Sequence, residues 1–158
     1  NAVGISPVLQ LYKKGILIGL GTDAYTNDML ESIKVALCSQ RHNACMPNVG
    51  WCEVTDMLFR NNAKMAERTG FPTLGVLKPG AAADVIVMDY KPFTPFSDAN
   101  IDGHMLFGMT GRQCQTTMIN GRILMKDRVL TEIDEEAVNA HILESSKRLW
   151  GRLNHKEY

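Results

Sequence analysis

The chain has 158 residues, 45% of them hydrophobic and 22% charged, with 17 basic side chains against 17 acidic ones. That balance suits a globular chain with a core of its own, argues against disorder, and leaves no net field to draw it to nucleic acid or an anionic membrane. Its longest apolar stretches, such as Ile16 to Leu20 and Val85 to Met88, fall far short of the ~20 residues a bilayer span needs, so no membrane partner is expected.

The opening Asn1-Ala2-Val3-Gly4 has no initiator methionine, basic segment or apolar segment, and it reads as the cut end of something longer. Four cysteines, Cys38, Cys45, Cys52 and Cys114, form no Cys-x-x-Cys pair and no dense framework, which predicts reduced thiols and a cytoplasmic setting. The seven-residue spacing of the first three is interrupted by Met46, Pro47 and Gly50, which argues against a metal site there.

In chain order, Val8, Leu9, Leu11 and Tyr12 follow Ser6-Pro7 at helical spacing and stop at Gly15, predicting a short helix from Pro7 to Lys14. Ile16 to Leu20 is a continuous apolar run ended by Gly21-Thr22-Asp23, the pattern of a strand buried on both faces in a parallel sheet. From Asn27 to Gln40 the residues Met29, Leu30, Ile33, Ala36 and Leu37 repeat at three and four, a helix with Asn27 or Asp28 as its N-cap. Arg41 to Gly50 reads as a polar loop, and helical spacing resumes from Val54 to Arg68.

After Pro72 the character changes. Ala83 to Asp89 is a strand built on Val85, Ile86 and Val87, and Gln115 to Met118 with Arg122 to Met125 form a hairpin around Asn120-Gly121. A short helix is expected over Asn100 to Met109 and a longer one over Glu135 to Leu153, carrying Val138, His141, Ile142, Leu149 and Leu153. No internal repeat is visible.

One constellation carries chemistry. In a (β/α)8 barrel the reactive groups sit where strands end, so the acid that follows a buried strand, Asp23, stands where barrel chemistry is expected; the plainer reading is that its carboxylate caps the next turn. Thr22 reads as a hydrogen-bonded support for the strand end, and Tyr25 and Asn27 as candidates for a substrate mouth, with turn and cap roles favoured by local chemistry. Trp51 is a lone aromatic within reach of a ring substrate. The histidines His42, His104, His141 and His155 form no His-x-His pair; His104 reads as a hydrogen-bonded core or interface residue and the others as surface or packing positions. The nine methionines fall mostly at apolar positions and read as core filling.

The order of the features adds to this. The stretch from Gly15 through Gly21-Thr22-Asp23 to Asp28, then Leu77-Lys78-Pro79-Gly80-Ala81-Ala82-Ala83-Asp84-Val85, then Met118 to Leu124, resembles the amidohydrolase superfamily over nearly the whole chain. Within it the closest look is to the cytosolic aminohydrolases and chlorohydrolases of purine-, pyrimidine- and triazine-like rings, in particular those called SsnA.

The resemblance implies a fold, a site and partners. The fold is α/β: residues 1–70 would be the end of a metal-dependent (β/α)8 TIM barrel, with the eighth strand and its flanking helices. Residues 71–158 would be the C-terminal part of a composite β-sandwich with a terminal helix. Asn1 would follow the loop of the seventh strand. Asp23 would be both metal ligand and catalytic base, Asn27 a substrate-binding residue, and Asp84 structural. The cofactor would be a divalent metal, Zn²⁺ or else Fe²⁺ or Mn²⁺, with its histidine ligands upstream of this chain, and the substrate a small heterocycle. An incomplete sheet edge predicts self-association of the chain alone, as a homo-oligomer or a rearranged structure. The competing reading is a β/α interaction module that catalyses nothing.

Overall fold

A computed structural model describes residues 3–155. Asn1, expected beside a seventh-strand loop, lies outside the described residues.

Helix α1 (Val8–Lys13) starts after Pro7, whose fixed φ suits a helix entry, and ends at Lys14. Its Tyr12 hydroxyl donates to Asp56 Oδ2 at 2.5 Å, tying the helix to a later segment. Helix α2 (Met29–Ala44) is capped by Asp28, whose carboxylate accepts from the Leu30 and Glu31 N–H groups. Of the two cap candidates the structure uses Asp28. At the other end Cys45 adopts the left-handed conformation, with φ 52°, and Met46 N–H returns to Arg41 O, closing the helix.

The helix thus runs four residues into the expected polar loop of 41–50. Arg41 and His42 occupy its last turn, where cations meet the negative end of the helix dipole, so polarity there marks a helix end and not a loop. The next helix likewise begins three residues before Val54: α3 (Trp51–Asp56), a π turn (Met57–Asn61) and α4 (Asn62–Arg68) follow without a break.

The apolar run Ile16–Leu20 is the main departure. It forms no strand ladder. A strand of a parallel sheet needs neighbours on its edges, and among the described residues its edge is met instead by side-chain amides of the π turn and α4. Asn61 Nδ2 donates to Ile18 O at 2.9 Å, and Asn62 exchanges two bonds with Leu20.

The second half holds an antiparallel sheet in the order β1 (Val85–Met88), β2 (Cys114–Ile119), β3 (Arg122–Lys126) and β4 (Val129–Leu130). The β2–β3 hairpin pairs Ile119 with Arg122 across Asn120-Gly121, both left-handed with φ 47° and 78°, the pair of conformations a type I′ turn requires. A second tight turn, Asp127-Arg128, with φ 51° and 65°, adds β4, which the sequence did not predict because this pair lacks glycine.

Between β1 and β2, α5 (Ile101–Gly103) passes into a π turn (His104–Gly108), and a 3-10 turn (Gly111–Gln113) precedes β2. Helix α6 (Glu135–Asn154), capped by Asp134, buries no residue.

The core lies among helices. Ile33 and Leu37 of α2, Val54 of α3 and Leu106 of the second π turn are fully buried together, flanked by Leu20, Leu30, Ala36, Leu58 and Met105. Leu106 thus draws a segment beyond residue 100 into the same core as α2. At about 25 cal/mol per Å² of apolar surface, burying each such side chain contributes roughly 1.5–3 kcal/mol.

Candidate functional site

The run Ile16–Leu20 delivers the chain to Gly21-Thr22-Asp23 at the edge of the helical core. Asp23 and Ala24 are both left-handed, with φ 50° and 61°, and Tyr25 N–H closes the turn on Thr22 O at 3.1 Å. Aspartate tolerates this conformation, but alanine has no side-chain hydrogen bond to offset a cost of about 1–2 kcal/mol. Consecutive non-glycine residues of this kind persist where surroundings impose them, and such sites often carry function.

Asp23, Ala24 and Tyr25 are exposed, Tyr25 at 72%. The following helix is capped by Asp28, five residues further on, which leaves the cap of α2 to that residue.

Two hollows meet beside this turn. One of about 380 Å³ is lined by Leu20, Gly21, Thr22, Tyr25, Thr26, Glu31, Ser32, Val35 and Ala36. The other, of about 800 Å³, is lined by Thr26, Asn27, Asp28, Glu31, Lys34, Thr110, Gly111 and Arg112. Thr26 and Glu31 line both, and the Thr26 hydroxyl donates to Glu31 Oε2 at 2.9 Å. Thr22 and Tyr25 therefore face the first hollow and Asn27 the second. Glu31, Lys34 and Arg112 were not anticipated: the first two read as solvent positions of a helix, and Arg112 arrives from a distant turn with no local signal.

Asp28 joins the two halves of the second hollow. Its Oδ1 caps α2, while Oδ2 accepts from Gly111 N–H at 2.7 Å. Residue 111 must be small here, since a Cβ would lie 2.9 Å from the Asp28 carboxylate.

His104 is buried, its Nδ1 sharing a 2.5 Å hydrogen bond with the Tyr90 hydroxyl and its Nε2 a 3.2 Å contact with Thr94 Oγ1, as the packing reading expects. His42, His141 and His155 are exposed. Trp51 tilts against Phe107, with ring centroids 5.6 Å apart, and lies under the Arg41 guanidinium, so it is engaged within the fold. Asp84 Oδ1 accepts from Asn120 N–H at 2.7 Å, and Ala83 O from Gly121 N–H, so the Ala83-Asp84 pair holds the hairpin turn.

Among the described residues no three His, Cys, Asp or Glu side chains gather at metal-binding distance. The described residues therefore hold no complete donor set for a metal, and Asp23 offers a hard carboxylate oxygen, a kind of donor that divalent ions accept. No helix among the described residues is long and apolar enough to cross a membrane.

The order of elements, the acid after the Ile16–Leu20 run and the hairpin turn held by Asp84 agree with one class of protein. The profile of the Amidohydrolase family matches residues 1–124, and the chain belongs to that family. A 5'-deoxyadenosine deaminase of Methanosarcina barkeri is 31% identical over 97% of this chain and 36% of its own length. A 5-methylthioadenosine/S-adenosylhomocysteine deaminase of Halothermothrix orenii is 33% identical over 92% of this chain and 34% of its own. Among solved structures, an atrazine chlorohydrolase of Arthrobacter aurescens complexed with zinc superposes with a TM-score of 0.65, at 25% identity, over 87% of this chain and 31% of that one. The chain thus spans about a third of the length of the curated relatives it matches. Its fold is a small α/β portion, with a four-stranded antiparallel sheet, of the barrel-related amidohydrolase architecture.

Proposed function

We propose that this chain is the C-terminal part of a metal-dependent hydrolase that acts on a non-peptide carbon–nitrogen bond. Its reaction is the removal of an amino or similar leaving group, chloride included, from a purine-, pyrimidine- or triazine-like ring. In this reading residues 1–70 close the barrel with its eighth strand, and residues 71–158 supply strands of a small β-sandwich with a terminal helix. The observation that carries it is the placement of Asp23, exposed on a left-handed turn at the end of the Ile16–Leu20 run, between Thr22 and Tyr25, which line the smaller hollow. The deaminase and chlorohydrolase relatives support the substrate class.

Asp23 would be one ligand of a divalent ion, for which Zn²⁺ has the precedent of the zinc-complexed neighbour; the remaining ligands would come from outside the described residues. Such an ion, when bound, lowers the pKa of water beside it toward ~7. With the ion in place the Asp23 carboxylate would take a proton from water and give it to a departing nitrogen, first as general base and then as general acid, while a departing chloride would leave without one. Asn27, on the rim of the larger hollow, contributes a hydrogen bond to the heterocycle.

The test is made on the full-length protein, by metal analysis and a screen of amino-substituted purines and pyrimidines for ammonia release. Asp23→Asn keeps the shape and removes the basicity, so turnover should fall by roughly 10²–10⁴ with part of the metal retained. A fully active Asp23→Asn protein would overturn the assignment.

A further inference from the structure

The hydrogen bonds beneath Asp23 carry a further step, which rests on the reading of Asp23 as the proton-transfer residue. In an extended run successive residues turn their backbone groups to opposite edges, so Ile18 and Leu20 face one edge and Leu17 and Gly19 the other. Asn62 spends both halves of its amide on one residue of that edge: Leu20 N–H donates to Asn62 Oδ1 at 3.0 Å, and Asn62 Nδ2 donates to Leu20 O at 2.9 Å. The buried Asn61 adds its Nδ2 bond to Ile18 O at 2.9 Å. Two neighbouring side chains of one helix thereby offer the alternating donor and acceptor that a flanking strand would offer.

The surrounding sequence fits this use. The π turn Met57–Asn61 ends where the clamp begins, and such widened turns recur at functional sites because they shift the helical phase. Gly19 leaves room for the amide: a Cβ there would lie 2.2 Å from Asn62 Oδ1 and 2.8 Å from Met65 Sδ. Leu20 is the last residue of the run before the Gly21-Thr22-Asp23 turn, so whatever fixes Leu20 sets where the Asp23 carboxylate stands.

We propose that Asn62, backed by Asn61, is a positioning residue for Asp23, locking the strand end in register and height against the α3–α4 helix.

The experiment compares Asn62→Ala, Asn62→Asp and the parent in the full-length protein. Readouts are kcat and KM for the amino-heterocycle turned over fastest by the parent, thermal unfolding, and hydrogen exchange at the Leu20 amide. A misplacement of about 1 Å costs up to ~100-fold, so Asn62→Ala should lose roughly 10- to 100-fold in kcat with KM within about threefold. Asn62→Asp keeps an acceptor for Leu20 N–H, so it should retain slow Leu20 exchange and recover part of kcat, whereas Asn62→Ala should lose that protection.

A folded Asn62→Ala protein with kcat within about twofold of the parent, or with unchanged Leu20 protection, would overturn the proposal. Should Asn62→Ala not fold, Asn62→Asp decides: partial kcat with Leu20 protected supports the clamp, and Leu20 exchanging at the rate of an open chain sinks it. The two readings fail separately. An active Asp23→Asn protein removes the catalytic assignment, while an indifferent Asn62 beside a dead Asp23→Asn protein removes only the clamp.

Discussion

The helical half and the sheet half of this chain are built on different physics. Among the described residues all six buried apolar side chains, Ile33, Leu37, Val54, Met57, Leu106 and Met109, lie in or directly after helical segments, and strands β1 to β4 bury none completely. Ile86, Val87, Ile119 and Ile123 of the sheet are exposed, Ile86 at 58%. The sheet is held instead by its ladders, by two left-handed turns and by polar ties: Asp84 to the Asn120 amide, Arg128 to Asp89 and Arg122 to Glu132. Helix packing therefore sets where the site stands, and turn chemistry sets the form of the sheet beside it.

That contrast can be tested in steps. The largest effect expected is on association: the uncovered sheet face and the exposed Val138, Ile142, Leu149 and Trp150 of α6 should make the 158-residue chain self-associate, and sedimentation as a compact monomer would count against it. Next, Leu37→Ala should cost about 2–5 kcal/mol by denaturant unfolding, the range for a truncated core leucine. Asp28→Ala removes a helix cap and the Gly111 bond together, and about 1–2 kcal/mol is expected. Asp84→Ala should cost about 1 kcal/mol and loosen the Asn120 amide, visible in its exchange rate. Measured at a dilution where the chain is monomeric, Ile86→Ala should change stability by no more than about 0.5 kcal/mol; a cost as large as that of Leu37→Ala would mean that a segment of the same chain covers the sheet face.

Much of this was legible in the sequence because the signals were local. The 3.6-residue periodicity marked every long helix, Asn120-Gly121 marked the hairpin, and Pro79-Gly80 with Ala83-Asp84 marked the start of β1. The strand expected at Ile16–Leu20 failed because a strand is a property of its neighbours, and the partners it meets here are the amides of Asn61 and Asn62. The polar stretch from Arg41 was misread because cations suit a helix C-terminus as well as a loop. Asp23 stood out from its position after an apolar run, while Arg112 and Gly111 join Asn27 and Asp28 around a hollow from a turn more than eighty residues away and announce nothing locally.

The Asp28 carboxylate, shared between the start of α2 and Gly111, bears on how relatives of this chain could be recombined. A crossover near residue 70 looks natural by sequence character, yet it would separate Asp28 from Gly111 and Leu106 from Ile33. A chimera joined there would keep its two halves in register only if the incoming segment brought a glycine for that acid and a large apolar residue for that core. Hybrids that carry residues 28 and 111 from the same parent should therefore fold more often than hybrids that mix them.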